Sequence, residues 1–560
     1  MPEIMRGKMR AAMERSDRTL PERLLEIPRE CLYWDRDELF SDCRALQTKI
    51  LREILSQAEG SVYGQTHGIS GKMTPEAYQN QVPISTYGDY LPYITAECEQ
   101  GEANQLYHAD TEMVVATTGS TGKMKLFLES AAGNAAKLLV MAIRGMYMSD
   151  VLPITRDNEA KNLTISNYEQ LGHTPSGKPI LRASGQTARN LRKKSSNMNI
   201  LTVDFWETAG LTAGDRDYLM AVFALSEIRL SKIFCNNLIH FGRLLDLINA
   251  RGAEMIADLR KGAFSLPLPA ATKARLDGML VADPARADLL QSIWDRQGKL
   301  FATPEDIHAV WPQCRMASCW LSGSVGRDAR EVLARMPKGI KCFDMGYGAS
   351  EGKLNVPMKL ACSSGAAAVF SVFYEFRPLT KGARPLFMWE VEDGAYYELI
   401  ITTYSGLYRY NMLDVVRIDG FFGDTPNIVF CGKSTEYVTV DGQRLYSYEI
   451  SDLIFQLEQA RRWRFDVMQV TVENGQLMFV LGSGAPVDYQ EVFAVLDDAL
   501  RQRWHFGCGG LYVTCAAYKT RAFDARVRDN RGACGIKLPI VLTAPPKAED
   551  IAQFIPADSK

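Results

Sequence analysis

Histidine is scarce in this chain, and its cysteines form no motif. The six histidines, His67, His108, His173, His240, His308 and His505, stand far apart, and the twelve cysteines include no Cys-x-x-Cys. No compact zinc-binding spacing arises from them. Scattered cysteines in a chain this long suggest a reducing compartment, and therefore the cytoplasm. An excess of one charge is also missing: 64 Lys+Arg face 66 Asp+Glu, a net charge of -2. That balance argues against a nucleic-acid partner held by a broad basic surface. No run of about 18 apolar residues exists, so neither a spanning helix nor a membrane partner is expected. Met1 to Arg18 contains Glu3 and Glu14 and no apolar stretch of about 7–15 residues, unlike a secretory signal. Internal repeats and low-complexity blocks are absent as well.

What is present is an ordinary globular composition, 46% hydrophobic and 23% charged, over 560 residues. That length calls for two or more domains. Residues 1–35 read as a loosely packed lead-in. From Asp37 to Glu59, Leu39, Phe40, Cys43, Leu46, Ile50, Ile54 and Leu55 recur at helical spacing. Val82 to Tyr90 reads as extended and turn-rich. The polar stretch 150–215 reads as a long surface excursion, a candidate lid. Helical patterns at Tyr218–Ile228 and Asn236–Ala250 then alternate with strand patterns. The strands are expected at Arg315–Ser322, Lys341–Asp344, Val369–Phe376 and Tyr397–Tyr404. This alternation predicts an α/β domain. After about Phe430 the texture changes. Asp441-Gly442 and Asn474-Gly475 are hairpin signals. Helices are expected at Tyr448–Leu457 and Tyr489–Arg503, and a strand at Leu511–Tyr518. The expected architecture is α/β, with a large N-terminal domain over 1–431 and a small α+β C-terminal domain over 432–560.

The chain is organised around the loop Thr117-Thr118-Gly119-Ser120-Thr121-Gly122-Lys123-Met124-Lys125. Glu112–Ala116 ahead of it reads as a strand, and Leu126–Tyr147 behind it as a helix. Glycines let backbone N–H groups face an anion, hydroxyls add donors and lysine adds charge. The order is not that of a Walker loop. Three further stretches carry candidate chemistry. In Tyr347-Gly348-Ala349-Ser350-Glu351 the tyrosine can lie on a flat base, and Glu351 can hold magnesium through oxygen. In Ser405-Gly406-Leu407-Tyr408-Arg409-Tyr410-Asn411-Met412-Leu413-Asp414, the aspartate can accept two ribose hydroxyls and Arg409 can face a phosphate. Gly532 to Pro539 presents Lys537 on a C-terminal loop.

In this order the four stretches resemble the adenylate-forming superfamily of acyl-CoA synthetases, peptide adenylation domains and luciferases. More narrowly, the chain is similar to the Gretchen Hagen (auxin-responsive) acyl-acid amido synthetases. Val82–Tyr87, Thr174–Gly177, Ser322-Gly323-Ser324, Phe373–Phe376 and Tyr397-Glu398-Leu399 carry the likeness, and Gly406-Leu407-Tyr408-Arg409 is its most specific part. The 117–125 loop is one residue shorter than in the plant enzymes. Tyr-Asn-Met-Leu-Asp stands where the family tends to have Arg-Val-Gly-Asp, and the Lys537 loop is shortened.

The resemblance implies an enzyme using ATP and Mg2+, with a small carboxylic acid and an amino acid as substrates. It places Thr117, Thr118, Gly119, Ser120, Thr121, Gly122, Lys125, Ser322, Gly323, Tyr347, Gly348, Ser350 and Asp414 at ATP, and magnesium at Glu351. Arg144 would face the acid, and Lys537 and Arg409 would be catalytic. The small C-terminal domain would be mobile about Cys431-Gly432-Lys433-Ser434. Two alternatives remain beside an amide former: a ligase making an acyl-CoA or carrier thioester, and a non-catalytic nucleotide or acid sensor.

Overall fold

Apolar side chains of the described residues gather in three large cores. The computed structural model describes residues 2–117, 124–153, 159–165, 170–183, 200, 211–380, 382–529 and 538–557.

The N-terminal residues are not a loose lead-in. They form α1 (Pro2–Glu14), α2 (Leu20–Glu26) and α3 (Arg29–Asp35), with Met9, Leu20, Leu24 and Leu32 in the first core. Pro21, Pro28 and many charges break the helical period there, which hides these short helices in the sequence. Arg23 of α2 is fully buried and bonds Glu53 at 2.7 Å. Glu53 lies on α4 (Cys43–Ala58), which buries the expected apolar stripe. The 82–90 stretch is extended only at first. Ser85 pairs with Tyr410, then Thr86 and Asp89 form a capping box that starts α5 (Tyr87–Thr95).

β1 (Thr111–Ala116) confirms the first strand, but the next segment is not helical at once. Leu126–Ser130 forms β2, antiparallel to β1, and only then does α6 (Ala131–Val151) begin. The 117–125 loop therefore connects a hairpin rather than entering a helix. A short apolar run such as Leu126-Phe127-Leu128 suits either element, and pairing with Val114–Ala116 decides it. Ser130 caps α6 by accepting from the Gly133 N–H at 3.0 Å.

The 150–215 stretch is not a surface excursion where it is described. It supplies β3 (Lys161–Ile165), β4 (Gln170–His173) and β5 (Pro179–Arg182). One four-stranded sheet runs β2-β1-β5-β4. The other elements of the α/β part follow: α7 (Ala213–Ser226), β6 (Leu230–Cys235), α8 (Ile239–Lys261), β7 (Met316–Cys319), α9 (Gly323–Leu333) and β8 (Lys341–Asp344). The sheet β3-β6-β7-β8 is parallel throughout and holds the second core.

Seven antiparallel strands come next: β9 (Asn355–Pro357), β10 (Gly365–Ala367), β11 (Val372–Pro378), β12 (Leu386–Phe387), β13 (Tyr396–Thr403), β14 (Tyr410–Phe422) and β15 (Thr425–Lys433). Their order is β12-β11-β13-β14-β15-β10-β9. The third core draws on Val438 to Ile555. Its hairpins are β16 (Tyr437–Val440) with β17 (Gln443–Tyr446), and β18 (Val467–Glu473) with β19 (Gln476–Gly482). Asp441, Gly442, Asn474 and Gly475 all take positive φ, as two-residue hairpin turns require. α10 (Ser447–Arg461) and α11 (Tyr489–Trp504) match expectation. The next strand, β20 (Cys508–Thr514), ends before Tyr518, which instead begins α12 (Tyr518–Asp529), and β21 (Ile551–Pro556) closes the sheet β18-β19-β20-β21. The whole is a mixed α/β protein with a large N-terminal part and a sheet-rich C-terminal region. Since β15 runs to Lys433, the expected boundary at 431/432 falls within the last residues of a strand. Among the described residues no helix is long and apolar enough to cross a membrane.

Arg409, expected to be catalytic, is bonded into this framework. It has φ +48° and is 4% exposed. Its Nε and Nη2 donate to Glu375 of β11 at 2.9 and 2.8 Å. Its Nη1 donates to the carbonyls of Gln79 and Val82 at 2.7 and 2.6 Å. Four of its five N–H groups are spent on holding the 79–85 segment to the sheet. Glu375→Ala would leave that guanidinium buried without its carboxylate. A loss of about 3–5 kcal/mol in urea unfolding is expected; a loss below about 1 kcal/mol would contradict a framework role.

Candidate active site

One tight turn follows β8 and carries four of the candidate residues, Tyr347, Gly348, Ser350 and Glu351. Asp344 holds its base, accepting from the N–H groups of Leu321 at 2.7 Å and Gly346 at 2.6 Å. Burial pushes the Asp344 carboxyl up to about 6, against the pull of these bonds and of Arg144. Gly346 has φ +80°, a conformation that favours glycine. The Tyr347 N–H donates to Asn355 Oδ1 at 2.6 Å, and the Leu354 N–H to the Tyr347 carbonyl at 2.8 Å. Ala349 N–H to Gly352 carbonyl, 2.9 Å, closes a small hairpin with Glu351 near its tip.

On one side of this turn the structure brings Tyr347, Glu351 and Asp414 together. The Tyr347 hydroxyl donates to Asp414 Oδ2 at 2.5 Å, and its ring stacks on Phe430 with centroids 5.1 Å apart. Lys433 bonds the other oxygen of Asp414, and the two face each other across the β14–β15 ladder. Burial works against the Lys433 ammonium, but Asp414 and then Glu351 outweigh it and raise its pKa. The Glu351 carboxyl is pushed up, first by burial and then by the Asp414 charge, with Lys433 and Lys125 opposing. Burial and then the Glu351 and Asp414 charges raise the pKa of the Tyr410 hydroxyl. Two carboxylates and two ammonium groups therefore nearly cancel. Lys433 and Tyr410 are additions to the expected set. Their signal, a lysine and a tyrosine in facing strands, exists only once the register is known.

Thr117 and Lys125 stand at the base of the expected phosphate loop, where the Thr117 N–H bonds the Lys125 carbonyl at 2.9 Å. The Lys125 ammonium lies 5.2 Å from the Tyr87 ring centroid. Thr118, Gly119, Ser120, Thr121 and Gly122 lie outside the described residues, and so does Lys537. Among the described residues no group of three metal-binding side chains exists. Magnesium at Glu351 would thus take most of its oxygens from phosphate and water. A sheltered carboxylate with a raised pKa, next to a second carboxylate, suits such a cation.

The other side of the turn is cationic. Lys137 of α6 donates to the Ser350 carbonyl at 2.8 Å and pairs with buried Glu129. Two turns further along α6, Arg144 reaches the Met345 carbonyl. Burial pushes its guanidinium down to about 10, with Asp344 opposing, and it stays charged at neutral pH. A Cβ on Gly348 would lie 2.9 Å from Cδ and Nζ of Lys353, so glycine lets that lysine fold across the turn.

Ser322 and Gly323 open α9 and line a cleft of about 290 Å³. Phe430, Tyr396, Tyr448 and Arg417 form its other walls, with Leu538 and Pro539, the residues directly after Lys537. Gly323 has φ +59°, and a Cβ there would meet the Phe430 ring at 3.3 Å. The cleft lies between the α/β part and the C-terminal region, joined by Lys519–Asp328 at 2.8 Å and Arg327–Glu458 at 2.5 Å.

Two family models match the chain: "GH3 family N-terminal domain" over residues 36–329 and "GH3 family central domain" over 366–433. The jasmonoyl–L-amino acid synthetase JAR6 of Nicotiana attenuata is 24% identical over 429 residues, 72% of each chain. The indole-3-acetic acid-amido synthetase GH3.3 of Arabidopsis thaliana is 20% identical over 441 residues, 75% of this chain and 72% of that one. The solved structure of a GH3.15 acyl acid amido synthetase shares the fold with a TM-score of 0.78 at 17% identity. That likeness covers 95% of this chain and 98% of the other.

Lys433→Met removes a positive charge from between Asp414 and Glu351, so the Glu351 carboxyl should rise further in the folded state. A raised carboxyl binds more protons folded than unfolded, so stability falls as pH rises through its folded pKa. The urea-midpoint deficit of this variant should be larger at pH 8 than at pH 5.5. Equal deficits would mean that Lys433 acts through packing alone.

Proposed function

Because the chain belongs to the GH3 family, we propose that it is an ATP-dependent acyl-acid amido synthetase. It first joins a carboxylic acid to AMP and then passes the acyl group to an amine, most simply that of an amino acid. The observation that carries this function is the two-sided turn at 345–353. Its Glu351–Asp414–Lys433 face suits ribose, phosphate and a cation, and its Arg144–Lys353 face suits a carboxylate.

In the first step a carboxylate oxygen attacks the α-phosphorus of ATP and pyrophosphate leaves. A carboxylate is a poor electrophile, and the adenylate supplies it with a good leaving group. In the second step the amine nitrogen attacks the acyl carbon, AMP leaves and the nitrogen loses a proton. Both steps depend on holding anions against each other and spreading the charge that develops. We assign Asp414 to the ribose hydroxyls, Tyr347 with Gly348, Ser322 and Gly323 to the base, and Arg144 to the acid. Thr117 to Gly122, Lys125 and Ser350 would serve the phosphates, and Lys537 the α-phosphate. Mg2+ at Glu351 would supply charge neutralisation between phosphate groups. We divide the chain at 431/432, with 431–434 as the hinge. A swing of the C-terminal part would have to break Lys519–Asp328 and Arg327–Glu458. The described cysteines are all free, which supports a cytoplasmic location.

The test is ATP–pyrophosphate exchange across aryl, indolyl, jasmonate-like and fatty acids, followed by addition of mixed amino acids or CoA and mass analysis. Acid-dependent exchange followed by an amide is expected. A thioester, or binding of ATP without exchange, would contradict the proposal. Lys537→Ala should lower exchange by about 10²–10³ with an unchanged unfolding curve; near-normal exchange would remove this lysine from the mechanism.

A further inference from the structure

Three cations crowd the acid side of the 345–353 turn, and two of them are already engaged. Lys137 is taken by Glu129 and the Ser350 carbonyl. Arg144 is taken by the Met345 carbonyl and faces Asp344. Lys353 differs. Its side chain folds back over Gly348, where a Cβ would come within 2.9 Å of both Cδ and Nζ. Among the described residues no carboxylate pairs with its ammonium, and the charges that act on it are those of Arg144 and Lys137. A sheltered ammonium with only cations beside it is unfavourable unless an anion arrives.

We propose that Lys353 is a substrate-binding residue that receives the carboxylate of the acid, alongside Arg144, before adenylation. This rests on the adenylation function proposed above. ATP phosphates are assigned to the opposite face of the turn, with Glu351, Asp414, Lys433 and Lys125. The anion that the reaction brings to the Lys353 face is therefore the acid itself. Arg144 already donates to a backbone carbonyl and sits by Asp344, so Lys353 is the cation whose charge the acid can neutralise. Once the adenylate forms, the acyl oxygen is no longer anionic and the ion pair dissolves. Lys353 forms no covalent bond. It lowers the cost of bringing a carboxylate up to the phosphates.

The charged groups that act on Lys353 are Arg144 and Lys137, both from α6. Burial, then Arg144 and Lys137, pulls the Lys353 ammonium down to about 8. Above that pH the free enzyme loses the charge that captures the acid. KM for the acid should then rise as pH increases from 8 to 9.5, with KM for ATP nearly constant.

The experiment measures the acid and ATP dependence of pyrophosphate exchange in wild type, Lys353→Met and Lys353→Arg, using an acid active with the wild type. In Lys353→Met the KM for the acid should rise by roughly 10- to 100-fold at pH 7, with KM for ATP within about twofold. Lys353→Arg should keep the wild-type KM at pH 7 and lose the rise above pH 8. An unchanged acid KM in Lys353→Met, or a rise confined to ATP, would overturn the proposal. So would the same alkaline rise in Lys353→Arg as in wild type. Wild-type protein without acid-dependent exchange would remove the adenylation function, and this inference with it.

Discussion

Asp344 divides its carboxylate between two backbone N–H groups, those of Leu321 and Gly346. This is the constraint on which both loops of the candidate site depend. One bond fixes the chain just before Ser322 and Gly323 enter α9. The other fixes the turn that carries Tyr347, Gly348, Glu351 and Lys353. A carboxylate this sheltered would not stay charged without such donors, and its pKa of about 6 records the competition between burial and the bonds. Adjacent parallel strands β7 and β8 thus present both loops at their C-terminal ends, where open α/β sheets commonly hold ligands.

The turn then separates charge. Toward β14 and β15 it shows Glu351 to Asp414, Lys433 and Tyr410, a nearly neutral group in which an incoming cation or phosphate can exchange partners. Toward α6 it shows backbone carbonyls to Lys137 and Arg144, with Lys353 folded over Gly348. Two substrates of like charge can approach one another only if each meets its own counter-charges first.

The sequence was most legible where a local rule decides the backbone. Asp441-Gly442 and Asn474-Gly475 marked two hairpins because positive φ is needed at those residues. The stripe from Leu39 to Leu55 marked its buried helix face. Lys341–Asp344 was visible as a strand. Illegible parts depended on distant pairing. Leu126–Leu128 became a strand only because β1 lies beside it, and β3 to β5 carried too many polar residues to stand out. Arg409 lies in the most family-specific stretch, yet its partner Glu375 is 34 residues away, so their buried pairing was not visible in the sequence. Lys433 and Lys353 are ordinary lysines in the sequence. Their meaning comes from their company: two carboxylates for one, two cations for the other.

We propose that the 345–353 turn keeps the nucleotide and the acid on opposite faces. A crystal structure with a non-hydrolysable acyl-adenylate analogue of an accepted acid would test it most directly. The account predicts the ribose against Asp414, the phosphate near Glu351 and Lys125, and the acyl group between α6 and Gly348, beside Arg144 and Lys353. An acyl group on the Asp414 side, or a nucleotide lying along α6, would contradict it.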